Sequence, residues 1–153
     1  MEKSPFELSG GEKRRTAIAG VMAMEPEVLI LDEPTAGLDP KGREMILSQI
    51  SAYQRENGTT VLLVSHSMED VARTARNVLV MNKGQVAMYA GTDEVFSRAE
   101  ELTAIGLSVP AGTRIFQMLK QQGLVGGDGV YTVEQAKHIL LPLLRKGEPD
   151  HAQ

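Results

Sequence analysis

Three side chains suited to phosphoryl chemistry directly follow two apolar runs. The run at 28–31 leads into Asp32 and Glu33, and the run at 60–64 is followed closely by His66. One carboxylate at a strand end can hold Mg²⁺ through water, and a second can orient an attacking water molecule. We therefore predict that Asp32 binds metal, that Glu33 is catalytic, and that His66 donates to a phosphate.

A glycine pair at the start of the first predicted helix forms a second phosphate-binding candidate. Ser9 is followed by Gly10 and Gly11, which leave the backbone N–H groups unobstructed where the helix dipole favours an anion. We assign Ser9, Gly10, Gly11 and Glu12 to this candidate site. Glu12 has two interpretations, because its charge would oppose a phosphate, whereas a capping box would turn its carboxylate back onto the Ser9 amide. The capping box is the favoured interpretation.

The elements that must position these residues alternate between helix and strand. The pattern predicts a helix from Ser9 that Pro26 closes, a strand at 28–31, a helix over 40–57 capped by Asp39, a strand at 60–64, a helix starting at 67–70, and two strands within 78–89. The unbroken apolar run at 28–31 predicts a strand buried on both faces of a parallel sheet. Ligands of such α/β sheets gather at the carboxyl ends of the strands, where Asp32, Glu33 and His66 are predicted to lie.

The pattern changes to short helices near Gly91. These helices are predicted at 92–97, 113–122 and 133–144, the last with a capping box from Thr132 and Gln135. We therefore divide the chain into domains at 1–91 and 92–153. A flexible glycine-rich loop is predicted at 126–129 and a frayed polar tail at 146–153.

Composition excludes several classes of protein. The 153 residues are 42% hydrophobic and 24% charged, as in ordinary globular domains. The net charge is −4 and the basic cluster at 13–15 is interpreted as a solvated helix face, so nucleic acid is not a predicted partner. The lack of cysteine excludes disulfide scaffolds and thiolate metal sites. No apolar run approaches the roughly 20 residues that span a bilayer.

Four motifs in a fixed order resemble those of the ABC ATPases. They are Leu-Ser-Gly-Gly-Glu at 8–12, Leu-Ile-Leu-Asp-Glu-Pro-Thr at 29–35, Ala-Gly-Leu-Asp at 36–39, and His66. They resemble the signature, the Walker B motif, the D-loop and the switch histidine of that family. The resemblance implies a P-loop NTPase sheet with flanking helices, ATP and Mg²⁺ as cofactors, and Asp39 as a nucleotide-site residue that acts across an ATPase dimer.

Flanking residues resemble the ATPases of energy-coupling factor importers, which take up vitamins or transition-metal ions. They include Ser-Pro-Phe-Glu at 4–7, Asp-Pro-Lys-Gly-Arg at 39–43 and Gly-Thr-Asp-Glu-Val-Phe at 91–96. The resemblance implies a second ATPase subunit, identical or paralogous, a transmembrane coupling protein and a substrate-binding membrane subunit. It also implies a peripheral location on the cytoplasmic face of the membrane, with the helical extension at 92–153 pairing the ATPases.

One family motif is missing from the sequence. The chain contains no Gly-x-x-x-x-Gly-Lys-Ser/Thr, the loop that cradles the β- and γ-phosphates. The P-loop NTPase fold is therefore predicted to be incomplete, and the chain alone is predicted to be inactive. Two alternatives remain open: the distal half of a chromosome-maintenance or DNA-repair ATPase head, and a non-catalytic fragment that occupies a dimer interface.

Overall fold

The computed structural model describes residues 4–126 and 130–146. In chain order the elements are α1 Gly10–Met22, β1 Val28–Asp32, α2 Pro40–Asn57, β2 Thr60–Val64, α3 Met68–Thr74, β3 Asn77–Asn82, β4 Gln85–Gly91, α4 Thr92–Ser97, α5 Ala99–Ala104, α6 Ala111–Gln121 and α7 Val133–Lys146. A 3-10 turn at Pro5–Glu7 precedes α1. The chain divides into two compact units between His66 and Ser67.

The first unit is built on a parallel pair of strands. β1 and β2 pair from Val28 with Thr60 to Asp32 with Val64, and α2 is the connection between them. Because parallel strands in register end at the same edge, this pairing brings the residues after β1 and after β2 together. The predicted α/β class with a parallel sheet is confirmed, in the form of a small sheet with helices.

The ends of α2 follow from local sequence signals. Asp39 is the N-cap, and its Oδ1 accepts a hydrogen bond of 3.0 Å from the Gly42 amide. Pro40 occupies the first turn, where its missing N–H costs nothing. The helix ends at Asn57 and is capped by Gly58, which has a φ of 66°. The predicted bounds of this helix are therefore confirmed.

One face of the small sheet is covered and the other is exposed. Leu29 is 1% exposed and packs with Leu31, Ile46 and Ile50, whereas Ile30 is 64% exposed. The prediction that β1 is buried on both faces is wrong in the described chain. An unbroken apolar run shows that both faces favour burial, but α1 and α2 supply side chains to one face alone.

The second unit joins an antiparallel hairpin to helices. β3 pairs with β4 from Asn77 with Gly91 to Asn82 with Gln85, around a turn at Lys83 and Gly84. Its main core consists of Val71, Val80, Met88, Val95, Phe96, Leu102 and Tyr131. This core contains side chains of the hairpin and of helices that follow residue 91. The domain boundary near residue 91 stays a prediction.

The helices of this unit match the predicted ones with small shifts. The helices predicted at 113–122 and 133–144 are α6 and α7, and α5 was not predicted. The predicted capping box is present, since Gln135 accepts from the Thr132 amide at 3.0 Å and Thr132 accepts from the Gln135 amide at 3.2 Å. Most of the loop predicted at 126–129 and of the tail predicted at 146–153 lies outside the described residues, and Lys146 is the last residue of α7. None of the described helices combines the length and apolarity needed to cross a bilayer.

Substitution of Gly42 by alanine is expected to lower the free energy of unfolding by about 1–2 kcal/mol. An added Cβ would lie 2.6 Å from Asp39 Oδ1, so the capping carboxylate would have to move. Gly20→Ala is the matched control, because an added Cβ there meets no described atom within 4 Å. Replacing this helical glycine is expected to stabilise the protein by about 0.5–1 kcal/mol. Chemical denaturation measures both, and equal midpoints for the two variants would contradict the packing argument.

Candidate functional site

Glu33 and His66 meet at the carboxyl edge of the parallel strand pair. The Nδ1 atom of His66 lies 2.7 Å from Glu33 Oε1, and the His66 backbone N–H donates to the same oxygen at 2.9 Å. An ionised carboxylate only accepts hydrogen bonds, so this contact places a proton on Nδ1. The imidazole is 83% exposed. With a proton on Nδ1, the Nε2 atom can donate a hydrogen bond only when the ring carries both protons.

The backbone of Glu33 has an uncommon conformation for a residue with a side chain. Its φ is 47°, in the left-handed region. The Glu33 amide donates to the carbonyl of Val64 at 2.9 Å, which extends the β1–β2 pairing by one bond. Such a conformation costs about 1–3 kcal/mol and persists where surrounding contacts fix it. The turn after β1 therefore directs the Glu33 side chain to His66 at the cost of local strain.

Asp32 is the last residue of β1 and is exposed at the same edge. The described parts of the chain contain no group of three or more histidine, cysteine or acidic side chains that could hold a metal. Mg²⁺ commonly binds one or two carboxylates and completes its shell with water and substrate phosphates. Asp32 is thus suited to bind a Mg²⁺ ion that is also coordinated by a nucleotide. The described side chains do not form a site that could hold the ion by themselves.

The segment before α1 contains the predicted capping box. The Ser9 amide donates to Glu12 Oε2 at 2.8 Å, and the Glu12 amide donates to Ser9 Oγ at 3.3 Å. The interpretation of Glu12 as a cap is therefore confirmed. Its carboxylate turns back onto the backbone at the helix start, so it also adds negative charge close to the amides proposed for phosphate.

Gly10 and Gly11 differ in their surroundings. An added Cβ on Gly11 would lie 3.2 Å from Leu38 Cδ2, so close packing explains the glycine there. An added Cβ on Gly10 would meet no described atom within 4 Å. The space beside Gly10 is compatible with a phosphate at the N-terminus of α1, which stays a prediction.

Asp39 is placed by the structure as the exposed N-cap of α2. Its contact with the Gly42 amide accounts for an aspartate at this position without any ligand. The role across an ATPase dimer therefore rests on the resemblance alone and stays a prediction.

Arg14 is a residue of the site that the sequence analysis missed. Its Nη1 donates to the carbonyl of Glu33 at 3.0 Å and to the carbonyl of Ala36 at 2.5 Å. The interpretation of the basic cluster as a solvated helix face is wrong for this side chain, which is partly buried. Sequence spacing carries no signal for the contact, because Lys13 has the same charge and is exposed.

Comparison with known proteins gives consistent matches. The family described as ABC transporter matches residues 1–36. The ATP-binding protein EcfA2 of the energy-coupling factor transporter from Clostridium perfringens is 55% identical over 144 residues, covering 94% of this chain and 50% of the relative. The protein of the same name from Clostridium tetani is 54% identical over 142 residues, covering 93% of this chain and 49% of the relative. The chain thus spans about half the length of these curated relatives.

Solved structures give the same fold. The structure of cbiO1 from Clostridium perfringens, described as part of the ABC transporter complex cbiONQ, is 40% identical with a TM-score of 0.60, covering 78% of this chain and 46% of that chain. A dimeric structure described as a bacterial ABC transporter cassette is 33% identical with a TM-score of 0.54, covering 60% of this chain and 39% of that chain. The described residues therefore form part of a fold of this kind.

Proposed function

We propose that this chain supplies catalytic residues to an ABC transporter subunit whose ATP hydrolysis drives uptake of a vitamin or a transition-metal ion. Its similarity to about half the length of energy-coupling factor ATP-binding proteins supports this proposal. The contact between Glu33 and His66 at the strand edge is the observation that carries this proposal. It brings together a carboxylate able to orient water and a side chain able to donate to a phosphate.

We propose different roles for the two oxygens of Glu33. Oε1 accepts both hydrogen bonds from His66, which holds the carboxylate in place. Oε2 is then the atom proposed to accept a hydrogen bond from the attacking water and to orient it. Protonated His66 would present Nε2–H to the terminal phosphate. Mg²⁺ held by Asp32 through water would neutralise charge on the phosphates when ATP is bound.

A second ATPase subunit, identical or paralogous, is part of the proposal. The Ser9 amide already donates to Glu12, so the Ser9 hydroxyl and the amides of Gly10 and Gly11 would bind phosphate of a nucleotide on that partner. Asp39 would act across the same interface. The relative described as part of an ABC transporter complex supports an assembly of this kind.

The remaining proposed partners are a transmembrane coupling protein and a substrate-binding membrane subunit, which would place the ATPase at the cytoplasmic face of the membrane. We propose residues 92–153 as the extension that pairs the two ATPases. Helices α6 and α7 support this proposal with exposed apolar side chains, which include Ile115, Met118, Ile139, Leu141 and Leu143.

Reconstitution tests the proposed transport. Liposomes are prepared with the complete gene product containing this chain, a second ATPase, the coupling protein and a substrate-binding subunit. Radiolabelled vitamin or metal ion is added outside the liposomes, and ATP is supplied on the side of the ATPases. Accumulation that requires ATP hydrolysis is the expected result. ATP hydrolysis stimulated by double-stranded DNA, without membrane association, would instead support the chromosome-maintenance alternative.

A further inference from the structure

We propose that Arg14 is a positioning residue for Glu33, holding the turn that directs the Glu33 carboxylate to His66. The proposal deepens the proposed ATP hydrolysis and rests on it for its kinetic consequence. Its structural part, the effect of Arg14 on the contact between Glu33 and His66, stands on geometry alone.

A single nitrogen of Arg14 binds both ends of the turn after β1. Nη1 donates to the carbonyls of Glu33 and Ala36 at 3.0 and 2.5 Å, and the Ala36 amide donates to the Glu33 carbonyl at 3.2 Å. Each guanidinium Nη carries two hydrogens, so one atom can serve both acceptors. Arg14 therefore closes a ring of hydrogen bonds over residues 33–36.

The Glu33 residue is fixed at three points. Its amide donates to Val64, its carbonyl accepts from Arg14, and its side chain accepts from His66. A left-handed φ of 47° is unfavourable for glutamate and needs such contacts to persist. Loss of Arg14 removes one of the two donors to the Glu33 carbonyl and its side-chain donor to the Ala36 carbonyl, so only the bond from the Ala36 amide remains there. We expect the weakened turn to relax and to move the carboxylate away from His66.

The neighbouring residue provides a control for charge. Lys13 lies on the same helical turn but is exposed, whereas Arg14 is partly buried. Removing either side chain deletes one positive charge from α1. If the basic cluster acted only through its charge, Lys13→Ala and Arg14→Ala would change the kcat for ATP hydrolysis equally. If Arg14 acts through its contacts with the two carbonyls, only Arg14→Ala lowers kcat.

The kinetic test uses the complete protein that contains this chain, paired with its second ATPase. Arg14→Ala is expected to lower kcat roughly 10-fold or more, because small misplacements of catalytic groups reduce rates by factors of this size. KM for ATP is expected to stay within about twofold, since Arg14 has no predicted contact with the nucleotide. Lys13→Ala is expected to keep both parameters, and Arg14→Lys is expected to restore part of kcat because an ammonium group can also serve two acceptors.

A second readout is independent of hydrolysis. With ¹⁵N-histidine labelling and assignment by a His66→Gln variant, the unliganded wild type is expected to show His66 with the proton on Nδ1. Arg14→Ala is expected to move this signal towards the average of the two tautomers, and Lys13→Ala is expected to leave it unchanged.

The outcomes separate the two proposals. If the wild type hydrolyses no ATP but the His66 signal still depends on Arg14, the proposed function fails and the positioning role stands. If Arg14→Ala keeps both kcat and the His66 signal, the positioning role is overturned. Should Arg14→Ala fail to fold, Arg14→Met carries the same two measurements, because methionine keeps an extended side chain but has no hydrogen-bond donor. Wild-type values for Arg14→Met would overturn the positioning role equally.

Discussion

Glu33→Gln is expected to reduce ATP hydrolysis at its own site by at least roughly 10²-fold in the complete protein paired with its second ATPase, as is typical for loss of a positioned catalytic group. The amide oxygen of glutamine can still accept both hydrogen bonds that Oε1 receives from His66. The turn and the histidine are therefore expected to stay in place. What disappears is the negative charge that orients the attacking water.

Single-turnover hydrolysis with Mg²⁺ and ATP measures this effect, together with equilibrium binding of ATP, which is expected to be unchanged. Glu56→Gln on the exposed end of α2 makes the same change of charge away from the strand edge and is the matched control. Turnover of Glu33→Gln close to that of the control would assign Glu33 a structural role only.

The isolated chain of residues 1–153 is expected neither to hydrolyse ATP nor to bind it with micromolar affinity. The sequence lacks the glycine-rich loop whose amides and lysine hold the β- and γ-phosphates. The described residues also lack a cluster able to hold Mg²⁺ without nucleotide. The remaining candidates, a helix start and single side chains at one strand edge, offer too few contacts for a triphosphate.

Titration calorimetry with Mg²⁺ and ATP measures the binding, and the complete gene product in the same buffer is the positive control. Addition of a separately expressed segment that contains Gly-x-x-x-x-Gly-Lys-Ser/Thr is expected to restore Mg²⁺-dependent hydrolysis in the presence of the second ATPase. Micromolar binding by the chain alone would mean that its own residues form a complete nucleotide site.

Local signals in the sequence were sufficient for most of the elements. The bounds of α2 could be predicted because Asp39, Pro40 and Gly58 act within one turn of the helix ends. The meeting of Glu33 with His66 was predictable as well, since parallel strands share a carboxyl edge. These predictions needed only backbone chemistry and the alternation of strand and helix.

Features that depend on distant residues were not predictable. Burial of Ile30 depends on what covers the second face of the sheet, and an apolar run cannot specify this. The contact of Arg14 with the turn at Glu33 joins residues far apart in sequence, and its neighbour Lys13 has the same charge. The left-handed φ of Glu33 had no signal either, because glycine or asparagine is the usual residue there. The roles of all the candidate site residues towards a nucleotide stay predictions: Ser9, Gly10, Gly11, Glu12, Asp32, Glu33, Asp39 and His66.

The pairing of β1 with β2 also has a consequence for folding kinetics. Val28 pairs with Thr60, 32 positions later, whereas the hairpin of β3 and β4 closes around a tight turn. Contacts of high sequence separation must first overcome the entropy of closing a long loop, so they form more slowly than a hairpin, which takes about 1–10 μs. On the ribosome, β1 emerges before its partner strand and must wait for α2 and β2 to be synthesised. Its apolar side chains are exposed on the nascent chain throughout that interval, so we expect this strand to be a binding site for chaperones.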